Sequence, residues 1–313
     1  MTQDKPRVLV LYFTQSGQLK DILDSVLSDT RFATDTIVDW VAITPEKPFP
    51  FPWTPDVFFD TMPETVEHLP SPIKPLPKHL FQNTYDLIVL GYQPWFLNPS
   101  QPITAFLQSD DARILKGNRV LTVIGSRNMW LHAQEKVKAY IQAQGATLVG
   151  NICLFDRHTN IISTLTVIRW TFTGQKEAGR WLPAAGVQDE DIKAASRFST
   201  PLFDSLSTLQ WDALHEQLLR NDAIILNPGL ILLEQRAIKN FRFWSKYIRE
   251  KGEAGNPARR PRVRLFKRLL IVGIFILSPI SAISAFIKLQ LHKKKLLKDV
   301  AYFKDVNYEA GRI

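Results

Sequence analysis

Residues 7–27 read RVLVLYFTQSGQLKDILDSVL, and this stretch decides the fold class. Its first seven residues are a near-continuous run of apolar strand formers, which is typical of a strand that is covered on both faces in a parallel sheet. The polar segment TQSG follows at once. Apolar residues then recur at helical spacing, at Leu19, Ile22, Leu23, Val26 and Leu27. The stretch therefore predicts a strand, a short polar loop and a helix.

The same alternation continues to residue 155. Four further strand patterns follow, DTIVDWVAI (35–43), YDLIVLGY (85–92), RVLTVIG (119–125) and ATLVGNICLF (146–155). A helix pattern over residues 129–145 separates the last two strands. Five strands with interleaved helices predict a doubly wound α/β domain with a five-stranded parallel sheet over residues 1–160.

Residues 45–78 interrupt this rhythm, because they hold ten of the twenty prolines. The segment is also rich in aromatic residues, namely Phe49, Phe51, Trp53, Phe58 and Phe59. We expect no regular helix there and interpret the segment as an ordered flap, packed on the domain or over a ligand. A rigid connection that is buried against the sheet is the alternative.

Beyond the sheet domain, residues 161–250 predict a C-terminal extension that completes the substrate site. Residues 163–172 fit a strand or a buried helix, and residues 203–220 fit a helix. Residues 251–264 are rich in Gly, Pro and Arg, which predicts a linker to a tail that ends at residue 313.

The net charge of +9 is concentrated in the tail. Residues 258–313 carry 13 Lys and Arg against 3 Asp and Glu, whereas residues 1–257 carry 26 against 27. A near-neutral body argues against nucleic-acid binding, because a surface that follows phosphates needs its basic patch on the folded domain. The basic tail instead predicts an anionic membrane surface as partner.

Residues 269–287 are 19 uncharged, mostly apolar residues with cations on both sides. Their length suits a membrane span, but the two basic flanks oppose placing either one across the membrane. We expect a kinked, re-entrant or interfacial segment, with a buried soluble helix as the alternative. Attachment through residues 265–298 would be peripheral or monotopic, on the cytoplasmic face of the inner membrane. The single cysteine, Cys153, and the lack of an apolar leader both favour the cytoplasm.

The segment TQSGQL, residues 14–19, has the composition of a phosphate loop. A helix that starts just after a strand presents unpaired N–H groups and a positive dipole end. Thr14 and Ser16 add hydroxyl groups, and Gly17 lets the backbone approach closely. Neither GxxxxGK nor GxGxxG is present, which favours a monophosphate ligand. Alone, the segment also fits an ordinary strand-to-helix turn.

Two further loops strengthen this interpretation. QPWF (93–96) follows the third strand and SRNMW (126–130) follows the fourth. In doubly wound sheets the ligand lies beyond the carboxyl ends of the strands, where the strand order reverses. The three loops thus offer phosphate donors and an aromatic platform, as a flat tricyclic ring with a phosphate tail requires.

Over about residues 7–156, these loops resemble those of the flavodoxin-like family. The resemblance implies a flavodoxin-like fold with FMN as cofactor. The implied contacts are Thr14, Gln15, Ser16, Gly17, Gln18 and Leu19 at the phosphate, Gln93, Pro94, Trp95 and Phe96 at the isoalloxazine, and Ser126, Arg127, Asn128 and Trp130 in the following loop. Ser16 and Leu19 stand where the family usually has Thr and a hydroxyl residue, which removes one phosphate donor.

A narrower resemblance is to the family known as dialkylresorcinol condensing enzymes. It is carried by LVLYFTQSGQLKDILDSV (9–26), PFPWTPDVFFDTMPE (50–64), GSRNMWLHAQEKVKAY (125–140) and STLTVIRWTFTG (163–174). Such proteins are found beside ketosynthases in dialkylresorcinol and aryl-polyene pigment clusters. The resemblance implies an FMN-dependent oxidoreductase that aromatises a lipid-like dialkyl-cyclohexane-1,3-dione to a dialkylresorcinol, with a ketosynthase of the pathway as a partner. Cys153 lies in an apolar strand without a paired His, so we expect oxidation rather than condensation.

For the chemistry, Arg127 is the candidate to stabilise an enolate-like oxygen, and His132 is the candidate to relay a proton. The alternatives are a salt bridge for Arg127 and a helix-surface position for His132. His158 and Asp156 are further candidates, and we expect no metal ion. Two other functions stay open: a membrane-bound NAD(P)H:quinone reductase, which adds NAD(P)H as a cofactor, and a flavodoxin-type electron carrier. The oligomeric state stays open too, a homo-oligomer included.

Overall fold

A parallel sheet forms the centre of the protein in the computed structural model, which describes residues 5–277 and 293–312. The strands of this sheet are β1 Arg7–Tyr12, β2 Ile37–Ala42, β3 Leu87–Tyr92, β6 Arg119–Ser126 and β7 Thr147–Phe155. A short antiparallel pair, β4 Pro94–Trp95 and β5 Asn98–Pro99, lies in the loop after β3. The five strands are arranged in the order β2-β1-β3-β6-β7. This is the doubly wound order of flavodoxin-like folds, so the prediction of a five-stranded parallel sheet is confirmed.

Helices cover both faces of the sheet. Those in the first half of the chain are α1 Gln18–Val26, α2 Thr30–Thr34, α3 Pro55–Asp60, α4 Met62–Val66, α5 Gln101–Gln108 and α6 Leu131–Ala143. Those in the second half are α7 Asn160–Thr173, α8 Asp189–Ala194, α9 Ser199–Thr208, α10 Leu214–Arg220, α11 Pro228–Arg249, α12 Arg260–Val272 and α13 Lys293–Lys304.

The strands separate two cores by their alternation. Val8 and Val10 of β1 face a core with α1, α8, α9 and α10, whereas Leu9 and Leu11 face a core with α5, α6, α11 and α13. Because both faces are covered, the apolar runs of the sequence are continuous rather than alternating.

Short helices form inside the flap, so the expectation of no regular helix over residues 45–78 is wrong. Thr54 caps α3 by accepting a hydrogen bond from the backbone N–H of Val57, and Pro55 occupies the first turn. Pro63 occupies the first turn of α4 in the same way. Proline suits this position because the first turn needs no N–H and the ring holds a helical φ, so these prolines start helices rather than prevent them.

All regular elements that the structure describes in the extension are helices. Residues 163–172 belong to helix α7, not to a strand, and residues 203–220 are divided between α9 and α10. The break lies at Leu209, whose left-handed φ of 53° ends α9. A helical pattern alone does not reveal such a break, because both helices present their apolar residues to the same core.

Residues 251–264, which the composition predicts to be a linker, contact the flap through Arg259. The Arg259 side chain is fully buried and pairs with Asp60 on α3, at 2.7 Å, and with Glu64 on α4, at 2.7 Å. Phe266 of α12 packs in one cluster with Phe59 of the flap. A composition rich in Gly, Pro and Arg therefore does not by itself exclude a buried arginine.

The tail also returns to the sheet. Tyr302 and Phe303 of α13 are buried in the core that contains α5 and α6. The apolar stretch 269–287 is described only to residue 277, so its second half lies outside the described residues. In the part of the chain that the structure describes, no helix has the length and apolar character needed to cross a membrane. The division into three domains stays a prediction.

Candidate functional site

The loop between β1 and α1 leaves the start of the helix open. Gly17 precedes α1 with a left-handed φ of 87°, and α1 begins without a side-chain cap. A Cβ placed on Gly17 would meet nothing within 4 Å. The start of α1 is therefore uncapped and has open space beside Gly17, which fits the requirements of a phosphate group.

The side chains of this loop have different roles. Thr14 Oγ1 accepts a hydrogen bond from the Gly17 N–H at 3.1 Å, so it shapes the loop. The Gln18 amide exchanges two hydrogen bonds with the backbone of Val187, at 2.9 and 3.0 Å, and Leu19 is fully buried in the sheet core. Gln18 and Leu19 can thus offer a phosphate only their backbone N–H groups, whereas Ser16 is half-buried beside the open space.

The loops after β1 and β3 are held together at the point where the strand order reverses. Gln93 Oε1 accepts a hydrogen bond from the Gln15 N–H at 3.1 Å. The Gln15 side chain in turn donates to the carbonyls of Phe49, at 3.2 Å, and Pro50, at 3.0 Å. The flap therefore packs directly on the predicted phosphate loop, in agreement with its interpretation as an ordered flap.

Trp95 belongs to an aromatic cluster made by the flap. Its ring meets those of Phe49, Trp53 and Phe13 edge to face, with centroids 5.0, 5.4 and 5.7 Å away. Phe96 points elsewhere, because its centroid lies 4.9 Å from that of Phe58 and 6.1 Å from that of Phe241. Pro94, between Gln93 and Trp95, is half-buried in the short strand β4. The predicted aromatic platform is thus Trp95 with flap residues rather than Trp95 with Phe96.

Arg127 lies in the loop after β6 and is held by the start of α7. One of its terminal nitrogens donates to Asn160 Oδ1 at 3.0 Å and to Thr164 Oγ1 at 2.7 Å. Burial lowers the pKa of Arg127 to about 10, against the opposing field of Asp156. The guanidinium therefore stays charged near neutral pH. Asn128 also donates to Asn160 Oδ1, at 3.0 Å, which fixes the loop.

The remaining predicted residues of this loop are buried. Trp130 is 2% exposed and packs in the core that contains α6. Ser126 ends β6 beside Cys153 of β7. Burial raises the pKa of the Cys153 thiol well above its usual range, so it is not a nucleophile near neutral pH.

His132 contacts helix α11, whereas Arg127 contacts the start of α7. His132 is 2% exposed, and its backbone N–H donates to Glu234 of α11 at 2.8 Å. Burial, reinforced by the cations Lys136 and Arg242, lowers the pKa of His132 to about 3. Such a group is a weak base near neutral pH, which argues against the proton-relay role.

Asp156 and His158 form a better arranged pair at the end of β7. Asp156 Oδ1 accepts hydrogen bonds from the His158 N–H, at 2.9 Å, and from ring Nδ1, at 2.7 Å. The carboxylate is fully buried, whereas the imidazole is 27% exposed. A buried carboxylate that holds Nδ1 orients the ring and leaves Nε2 for a second partner. The Asp156 N–H donates to the Ser126 carbonyl at 3.2 Å, which places the following residue, Arg127, near this pair at the neighbouring strand end.

Glu234 is a feature that sequence reasoning missed. Its carboxylate, 1% exposed, accepts hydrogen bonds from the start of α6, which has no cap of its own. Burial raises the pKa of Glu234 to about 7, although the N–H groups at the start of α6 act in the opposite direction. A single Glu in a basic helix carries no sequence signal for this contact, which joins residues 102 positions apart.

Comparisons with known proteins add little to this geometry. No protein-family model matches the sequence, and no curated protein matches it. Similar solved structures include "Structure of a flavodoxin from the domain Archaea", with 10% identity, a TM-score of 0.35 and coverage of 64% of this chain and 99% of that chain. Another is "flavone reductase", with 9% identity, a TM-score of 0.35 and coverage of 65% and 64%. The fold assignment rests on the strand order described above.

Across the described ranges, no group of three or more His, Cys, Asp or Glu residues could hold a metal ion.

Proposed function

We propose that the chain binds FMN at the carboxyl edge of its sheet and acts as a flavin-dependent oxidoreductase. One observation carries the proposal: the uncapped start of α1, open at Gly17, lies where the loops after β1 and β3 are joined by the Gln15–Gln93 hydrogen bond. In a sheet of this order, that is the position where a ligand with a phosphate group is held.

Each part of the chain has a distinct task in this proposal. The N–H groups at the start of α1, with the Ser16 hydroxyl, hold the phosphate. Trp95 and the flap aromatics flank the flat ring and exclude water. FMN, when bound, supplies an acceptor for a hydride. Arg127 stabilises negative charge on a substrate oxygen, and His158, oriented by Asp156, takes up a proton at Nε2.

The finer proposal is that the substrate is a lipid-like dialkyl-cyclohexane-1,3-dione, which is aromatised to a dialkylresorcinol. Aromatisation removes a hydride and a proton from the ring. His158 would take up the proton at Nε2, and FMN, if bound, would supply the hydride acceptor and would be reoxidised by an external electron acceptor. The grouping of a buried cation with a carboxylate–imidazole pair supports this reaction, because an enolate-like oxygen needs the first and a leaving proton needs the second.

The same grouping favours substrate oxidation over a flavodoxin-type electron carrier, which has no proton to remove from a substrate. An NAD(P)H:quinone reductase would use the same flavin and stays the alternative. A ketosynthase partner belongs to the finer proposal.

Binding of FMN is tested by titrating the protein with FMN and following flavin fluorescence and the visible spectrum. Gly17→Ala should weaken FMN binding roughly tenfold or more, because the added methyl group enters the space that the phosphate needs. Gly117→Ala is the matched control, since Gly117 also has a left-handed φ, 74°, and open space around its Cβ position. Failure of the unaltered protein to bind FMN would refute the flavoprotein proposal.

The reaction is tested by mixing the FMN-loaded protein anaerobically with a dialkyl-cyclohexane-1,3-dione and following flavin bleaching. His158→Gln should slow bleaching roughly a hundredfold without changing FMN affinity, whereas His132→Gln should not. Bleaching by NAD(P)H and not by the dione would favour the quinone reductase instead.

A further inference from the structure

Helix α12 carries apolar residues on two faces. Val263 and Phe266 are buried against the flap and α11. A second row points outward, since Leu265, Leu269 and Val272 are 43, 46 and 43% exposed. These three residues follow a spacing of four and three, so they lie along one line of the helix. A soluble helix needs only one apolar face, which leaves this row without a partner in the described fold.

Exposed cations lie beside this row. Arg264 and Arg268 are both exposed, and α12 contains no acidic residue. Helix α13, which follows residues 278–292 in the sequence, also has an exposed apolar residue beside exposed cations. Leu297 is 58% exposed and lies between the exposed Lys295 and Lys298. Apolar side chains beside cations, without anions between them, are the signature of a helix that lies on anionic lipid.

We infer that the outer face of α12 is a docking surface for an anionic lipid bilayer, with the row Leu265, Leu269 and Val272 inserted between the headgroups. Charge complementarity favours lipid over a second copy of this chain, because two copies would bring their basic tails together. The inference concerns a surface outside the flavin site and does not rest on the proposed function.

The position of α12 gives this docking a consequence for the flap. Arg259, just before α12, is tied to Asp60 and Glu64 by a buried ion pair, so α12 is joined directly to the flap helices α3 and α4. Aromatic rings form a continuous series from α12 towards the sheet. Each ring contacts the next one in the series. The centroid distances between successive rings are 6.2 Å for Phe266 and Phe59, 5.2 Å for Phe59 and Phe58, 5.6 Å for Phe58 and Trp53, and 5.4 Å for Trp53 and Trp95. Docking would therefore bring the bilayer to one end of a packed aromatic series that reaches Trp95 at the carboxyl edge of the sheet.

The surface is tested on the full-length protein by sedimentation with vesicles of phosphatidylcholine, alone or mixed with phosphatidylglycerol. The protein should pellet with the anionic vesicles, less so at high salt. Arg264→Glu with Arg268→Glu should weaken this binding at least about 30-fold, because the loss of two cations near the surface alone accounts for that factor and the two added carboxylates repel anionic lipid further. Lys116→Glu with Lys193→Glu is the matched control, because both lysines are exposed on the body of the protein, and it should bind as before.

A label locates the inserted face. Cys153 is buried and is the single cysteine, so a cysteine introduced at Leu269 can be labelled selectively with an environment-sensitive dye. Leu269→Cys should give a blue-shifted emission on anionic vesicles. Trp181→Cys, at a loop residue that is 83% exposed, should not.

Three results would overturn the inference. The protein could fail to bind anionic vesicles, it could bind them without any change of the label at position 269, or it could form a dimer that Leu269→Asp dissociates. The second result would place the contact in another segment of the tail, and the third would identify a second copy of the chain as the occupant. Circular dichroism of every variant checks that the fold is retained.

Discussion

Replacing Arg259 by Met should destabilise the protein strongly. The side chain is completely buried, and it makes two hydrogen bonds to the Glu64 carboxylate, at 2.7 and 2.9 Å, and one to Asp60 Oδ1, at 2.7 Å. Methionine keeps most of the volume but removes the charge, so two carboxylates lose their main partner.

The surroundings of the two carboxylates determine how much free energy of unfolding should be lost. Removing one member of a buried ion pair typically costs about 3–5 kcal/mol, because the other charge stays buried without compensation. Here Glu64 keeps Arg249 at 3.1 Å, and the Asp60 side chain is 21% exposed, so both are partly relieved. We therefore expect the lower end of that range, about 3 kcal/mol in the free energy of unfolding.

Urea unfolding, followed by tryptophan fluorescence and circular dichroism, measures the loss. Arg220→Met is the matched control, since Arg220 pairs with Glu216 and the two side chains are 71 and 68% exposed, and it should cost about 1 kcal/mol or less. Glu64→Gln and the double variant complete a cycle that isolates the coupling between Arg259 and Glu64. Equal losses for Arg259→Met and Arg220→Met would contradict the buried contact, and residues 251–264 would then be the linker that their composition predicts.

Two further predictions concern buried groups near the site. The free energy of unfolding of the unaltered protein, relative to Glu234→Gln, should fall by roughly 3 kcal/mol as the pH rises from about 4.5 to about 8. The reason is that burial raises the folded-state pKa of Glu234 to about 7, so its stabilising contribution is complete below its ordinary pKa and is lost as the carboxyl ionises. Urea titrations at both pH values measure this, and a flat difference would show that the carboxylate is solvated. Gly186→Ala should destabilise by at least about 1 kcal/mol more than Gly117→Ala in the same assay. Both glycines have a left-handed φ, but only a Cβ at Gly186 would meet Gln18 Oε1, at 2.6 Å, and the ring of Trp170, at 2.8 Å. Equal losses would mean that the loop over Gln18 yields without cost.

The candidate site was predictable in its location more than in its chemistry. Gly17 and the loops at Gln93 and Arg127 follow predicted strands, and the rule for doubly wound sheets places them at one edge. The roles of individual side chains were harder to predict. The sequence favours His132 over His158 as the proton relay, yet His132 is enclosed by α11 and cations while His158 is held by a buried carboxylate.

The amino-acid sequence by itself determined the sheet, its boundaries and the open start of α1. These features depend on neighbours within a few residues, because apolar periodicity, a glycine with a left-handed φ and the end of a strand are all local. The tail illustrates the opposite case. The composition of residues 251–264 predicts a linker, but Arg259 is buried because Glu64, 195 residues earlier in the chain, offers a carboxylate at the right distance. Contacts of this kind leave no periodic pattern, since each depends on two side chains that only the folded backbone brings together. The tertiary structure therefore decided which charges are paired, which histidine is held by a buried carboxylate, and that the basic tail is attached to the flap over the candidate site.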